Sequence, residues 1–68
     1  MPGTCRKIEV VGMSAVSFAE AVKSAVQQAS KSVRHMDWFE VVEMRGRIQG
    51  GDVAEFQVTL RIGFKLEG

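Results

Sequence analysis

Three residues of this chain have types and positions suited to holding a flat polar molecule. Trp38, the only Trp among 68 residues, offers an aromatic face whose stacking is worth about 0.5–1.5 kcal/mol beyond area burial. Gln57 carries an amide that both donates and accepts, which suits the edge of a heteroaromatic ring. Arg45 presents a fork of donors that matches phosphate oxygens. The competing reading uses no ligand: Trp38, Val42 and Met44 then form a subunit interface, since exposed apolar patches mark protein contacts. Spacing alone leaves both readings open.

Other reactive residues yield less. His35 sits near the expected end of a helix with no catalytic partner at a telling distance. Cys5 falls in a terminal strand with no basic group placed to lower its pKa. Gly3 and Gly12 lack the G-x-G-x-x-G context of a dinucleotide loop. Glu40, Glu43, Arg45 and Arg47 read as cross-strand ion pairs on a solvated or interface surface. No nucleophile, base and orienting group emerge together, so a small hydrolase is disfavoured and no enzyme is expected.

The elements that position these residues follow from periodicity. Met36 to Ile48 is rich in Val, Phe and Trp and reads as a strand. Alternation puts Trp38, Val42, Met44 and Ile48 on one face, and Phe39, Val41, Glu43, Arg45 and Arg47 on the other. Gly50-Gly51 supplies a two-residue hairpin turn. Val53 to Leu66 alternates most cleanly, with Phe56, Val58, Leu60 and Ile62 on the core side and Gln57, Thr59 and Arg61 opposite. If Gly50 and Gly51 are the loop, Trp38 faces Gly63, Met44 faces Gln57 and Arg45 faces Phe56. Phe39 and Val41 then lie under the helix.

Upstream, Arg6 to Val11 is a strand that Gly12 ends. Ser17-Phe18-Ala19-Glu20 reads as a capping box. A helix follows from Phe18 to about Arg34, its stripe made by Phe18, Ala21, Val22, Ala25, Val26, Ala29 and Val33. Lys31, Arg34 and His35 near its end complement the helix dipole. A right-handed crossover gives an α+β, β-α-β-β unit with antiparallel strand order 1-3-2 on one helix. The hairpin strands look about twice as long as the first, so their far halves need a partner, and one helix leaves the Trp face uncovered.

Composition narrows the class. Residues 1–68 make one domain, too short for two cores. Chains of this size draw no more than about 3–5 kcal/mol from a single core and need a further staple. One Cys excludes an internal disulfide, and one Cys with one His does not make a zinc site. Oligomerisation remains. A net charge of +1 gives no footprint for nucleic acid. No apolar run reaches membrane-spanning length, and the first five residues lack the apolar core of a signal peptide. A cytoplasmic protein with no membrane partner is expected.

The chain resembles the dodecins, small flavin-binding proteins that assemble into a hollow homododecamer. The resemblance rests on Lys-Ile-Glu-Val-Val-Gly at 7–12, Ser-Phe-Ala-Glu-Ala-Val-Lys at 17–23, Trp-Phe-Glu-Val-Val-Glu-Met-Arg-Gly-Arg-Ile at 38–48 and Phe-Gln-Val-Thr-Leu-Arg-Ile-Gly-Phe at 56–64. It covers nearly the whole chain. Phe18 departs from it, standing where many members have Trp. It implies FMN or riboflavin bound as antiparallel pairs at two-fold axes, sandwiched between two Trp side chains, with Trp38 in that role. It further implies Gln57 at the isoalloxazine edge, Arg45 at the FMN phosphate, and Asp37 as an acidic neighbour of the ligand. Coenzyme A is a further ligand of some members, with Arg6, Gln28 and Lys65 as candidate contacts here that no local motif fixes. Flavin storage and photoprotection are the implied function, and a ligand-free structural oligomer is the alternative.

Overall fold

The computed structural model describes residues 3–66. Strand β1 (Cys5–Ser14) leads into helix α1 (Phe18–Ala29), followed by β2 (Met36–Gln49) and β3 (Asp52–Lys65). β3 lies in the middle of the sheet, antiparallel to both neighbours, in the order β1-β3-β2. This is the expected β-α-β-β unit. Gly50 and Gly51 take φ values of 61° and 83°, the left-handed conformations that a tight hairpin turn requires.

Gly12 does not end β1. The strand pairs with β3 without a shift through Ser14, opposite Phe56. Gly12 sits where the strand passes beneath α1, and a Cβ there would overlap the Ala21 carbonyl oxygen and stand 2.7 Å from Ala25 Cβ. The glycine serves helix-to-strand approach rather than termination. β1 is therefore 10 residues long against 14 for each hairpin strand, a smaller disparity than the sequence implied. Gly12→Ala is expected to destabilise the protein by at least about 1–3 kcal/mol, the usual cost of overpacking. Urea unfolding of the assembled protein measures this.

α1 starts as expected, with Ser17 Oγ accepting from the Glu20 amide at 3.0 Å. The reciprocal half of the box is replaced: the Ser17 amide donates to Ser14 Oγ at 3.4 Å, and Glu20 lies 3.6 Å from Lys23. The helix ends at Ala29, short of Arg34. Ser30 and Ser32 hydroxyls bond the carbonyls of Gln27 and Ala29, offering the backbone an alternative to another helical turn. Lys31, Arg34 and His35 consequently lie beyond the helix. His35, at φ 62°, takes the left-handed step that a glycine would usually make before β2.

The core is thin. Ala21 and Ala25 of α1 pack against Val58 and Leu60 of β3, and with Ala29 and Ile62 these are the six buried apolar side chains among the described residues. Phe18 closes one end edge-to-face on Phe56, with ring centroids 5.0 Å apart, consistent with its place on the core stripe. Small alanines let the helix sit close over β1 and β3, where it makes its main contacts. β2 lies at the margin of its reach, where Val26 borders a groove shared with Met36 and Phe39. Phe39 and Val41 share the helix side with Ile62 and Leu60, yet each is 47% exposed, which corrects the expectation that the helix covers them. The hairpin also runs past the core, and the molecule measures 53 × 20 × 13 Å. Its radius of gyration, 14.1 Å, exceeds the roughly 11 Å of a compact chain this long. No helix among the described residues is long and apolar enough to cross a membrane.

Candidate functional site

Local irregularities in the β2–β3 hairpin decide which side chains share a face. Next to the turn, and again near Trp38, pairing follows the simple register, with Gln49 opposite Asp52, Val41 opposite Leu60 and Trp38 opposite Gly63. Between Val41 and Glu43 the register shifts by one residue, and it shifts back between Arg47 and Ile48. Val42 is the extra residue of the first bulge. A bulge reverses the facing of everything beyond it until the next one.

Arg45 therefore faces Gln57 rather than Phe56, and Met44 faces Val58 rather than Gln57. Directly paired residues project to the same side. Arg45 and Gln57 thus lie on the face of Trp38, away from the helix, while Met44 leaves that face. The sequence carried a signal for this: strict alternation from Phe39 puts Glu43, Arg45 and Arg47 on the core side, an arrangement that burial disfavours.

On the exposed face the side chains form an ordered polar ladder. Arg45 Nε donates to Gln57 Oε1 at 3.0 Å, and Gln57 Nε2 donates to Glu55 Oε1 at 2.9 Å. Arg47 and Glu43 flank the ladder, 3.8 Å from Glu55 and 4.0 Å from Arg45 respectively. The Gln57 amide is held at both ends, with one N–H and one lone pair free for a ligand edge.

Trp38 stands apart from that ladder. Its ring lies across Gly63: a Cβ at Gly63 would overlap three consecutive ring atoms, Cε2, Cζ2 and Cη2, almost equally. Near-equal approach means that the ring presents its face to the backbone, since an edge-on approach would leave the flanking atoms much farther away. The side chain remains partly exposed, so its outer face is open. Gly63 lies six residue steps beyond Gln57 in β3, about 20 Å along the strand at about 3.4 Å each. No isoalloxazine spans that distance, so within one subunit Trp38 and Gln57 share a face but not a ligand. Asp37, the extra residue where the register shifts between Met36 and Trp38, is exposed and lines the same groove as Trp38. The three residues named for coenzyme A do not converge in one subunit. Arg6 and Lys65 occupy adjacent rows of opposite facing, and Gln28 borders a separate groove between α1 and β1.

Gly63 lies beneath the ring, opposite Trp38 as the register predicts. Two residues that sequence reasoning did not place beside Trp38 complete its surroundings, the pair Lys7–Glu40, whose Nζ and Oε1 stand 2.9 Å apart across the sheet. The Lys7 ammonium, followed by weaker contributions from the Trp38 indole N–H and Arg61, holds the Glu40 carboxyl below the usual carboxylate range. A carboxyl pKa depressed by folding contributes stability above its unfolded value, and that contribution is lost as pH falls through the folded value. Following the Glu40 carboxyl by NMR, we expect its pKa to rise toward the ordinary value in Lys7→Gln. An unchanged value would remove the ion pair as the cause.

The comparisons with known proteins agree with this architecture. The family model described as Dodecin matches residues 4–67. A dodecin of Thermus thermophilus is 47% identical over 62 residues, covering 91% of this chain and 90% of the relative. The solved structure of a dodecin from Streptomyces coelicolor superposes with a TM-score of 0.91 at 48% identity, covering 97% of this chain and 94% of that one. A calcium dodecin of Mycobacterium tuberculosis, with its own calcium-binding site, matches at a TM-score of 0.80 and 26% identity, over 94% and 91% of the two chains. Among the described residues of the present chain, no three His, Cys, Asp or Glu side chains gather to hold a metal. With the fold and nearly the full length matched, the chain belongs to the dodecin family.

Proposed function

We propose that this protein assembles into a closed dodecamer that binds FMN or riboflavin between subunits, stores it and quenches its photochemistry. The observation that carries this reading is the separation on one sheet face. One side of the Trp38 ring is backed by Gly63 and the other is open, whereas the Arg45–Gln57 pair lies about 20 Å away along β3. A ligand that stacks on Trp38 and is hydrogen-bonded by Gln57 must therefore bridge two copies of the chain. Two copies related by a two-fold axis supply that combination twice, which suits a pair of flavins between two Trp rings.

In this reading Gln57 bonds the isoalloxazine edge, Arg45 takes the phosphate of FMN, and Asp37 borders the ring. Arg45 reaches a phosphate by exchanging its bond to Gln57 for a charge-assisted pair, the stronger of the two. The function is storage rather than catalysis, because a Trp-flavin-flavin-Trp stack leaves no room for a substrate beside the isoalloxazine. Family membership supports the reading, as do the exposed apolar side chains of β2, which need a partner. Denaturing the purified protein and identifying the released small molecules by mass is the test. FMN or riboflavin is expected. Protein that carries no flavin and takes none up when it is added would favour the ligand-free structural oligomer.

A further inference from the structure

Trp38 is exposed enough that an unsupported indole would sample several rotamers, yet its ring lies face-down on the sheet. Two features account for this. Gly63 is the one residue of β3 opposite Trp38, and its missing Cβ leaves the space that the ring fills. Glu40, two residues along β2 on the same face, is tied by the 2.9 Å contact to Lys7 on the far edge strand. The pair spans the central strand, from Lys7 in the row of Gly63 and Trp38 to Glu40 in the row of Arg61, and so holds the carboxylate on the face that the indole occupies.

We propose that Gly63 and the Lys7–Glu40 pair form a seat for Trp38, which presses one ring face onto backbone and presents the other as a flat, single-sided stacking platform. These are positioning residues, acting on a ligand only through Trp38. That the platform serves a flavin rests on the function proposed above. The seat itself does not. Single-sidedness has a consequence for selectivity: each Trp38 accepts one aromatic plane, so a planar tricycle profits from the whole platform and a bent or bulky ring system does not. Any side chain at residue 63 would lift or swing the indole and replace the platform with an edge.

Because Trp38 is the only Trp, its near-UV circular dichroism and emission report on the seat without interference. The experiment uses the purified oligomer with flavin removed. Gly63→Ala is expected to lose most of the Trp38 near-UV signal and to become more accessible to acrylamide, with far-UV signal and oligomer mass unchanged. Its riboflavin affinity is expected to fall by the stacking contribution, about two- to tenfold in Kd. Glu40→Gln should weaken the same Trp38 signal, and Lys7→Arg, which keeps the cation, should retain it. Parental Trp38 spectra in an assembled Gly63→Ala protein would overturn the seat, even if flavin binding weakened. If Gly63→Ala does not assemble, Glu40→Gln decides, and parental Trp38 spectra there overturn the proposal. A parent that fails to bind flavin, while these variants still alter the Trp38 spectra, would remove the flavin reading and leave the seat standing.

Discussion

Replacing Trp38 by Ala is expected to weaken flavin binding by about 2–4 kcal/mol, roughly thirty- to a thousandfold in Kd, the range of an aromatic anchor in a buried contact. The loss follows from geometry: the ring is backed by Gly63, and nothing else on that row replaces its surface. Trp38→Phe separates two effects that Ala merges. The phenyl ring keeps part of the stacking area, so binding should weaken without vanishing. It removes the easily oxidised indole, so flavin that stays bound should fluoresce more brightly and live longer in its excited state. Affinity and excited-state lifetime are measured on the same variant, corrected for free flavin. If flavin bound to the Phe variant is quenched as fast as in the parent, Trp38 is a packing residue and the photoprotective role fails.

A second large effect concerns assembly. Only six apolar side chains among the described residues are buried, while Phe39, Val41, Val42, Met44, Ile48 and Val53 stand 45–75% exposed along one hairpin. A core this thin contributes too little to hold a 68-residue chain by itself. Light scattering should therefore give a mass near twelve times the 7.5 kDa of one chain. A charge at the centre of the uncovered strand, as in Val41→Asp, is expected to abolish assembly and with it stable folding. A cooperatively folded monomer at micromolar concentration would contradict this account.

Much of the fold was legible because alternation in β3 and the apolar stripe of α1 are unambiguous, and Gly50-Gly51 fixes the turn. What escaped was set by contacts that single-strand periodicity does not encode. Gly12 looked like a stop because its reason, the close approach of Ala21 and Ala25, exists only once the helix is docked. The last helical turn was overextended because Val33 continues the stripe while Ser30 and Ser32 compete for the carbonyls that would carry it. In the candidate site, Trp38 opposite Gly63 was readable. The Arg45–Gln57 pairing was not, since one extra residue at Val42 reverses the facing and leaves no Gly or Pro to mark it. That same bulge places Arg45 on the face where the proposed phosphate role requires it.

The most direct measurement of the central claim is titration of riboflavin or FMN with the ligand-free oligomer, read by flavin fluorescence. One open Trp38 face per subunit, paired across a two-fold axis, predicts near-complete quenching that saturates at one flavin per chain. Flavin that stays as bright as free ligand in excess protein, or a stoichiometry unrelated to the number of Trp38 rings, would contradict it.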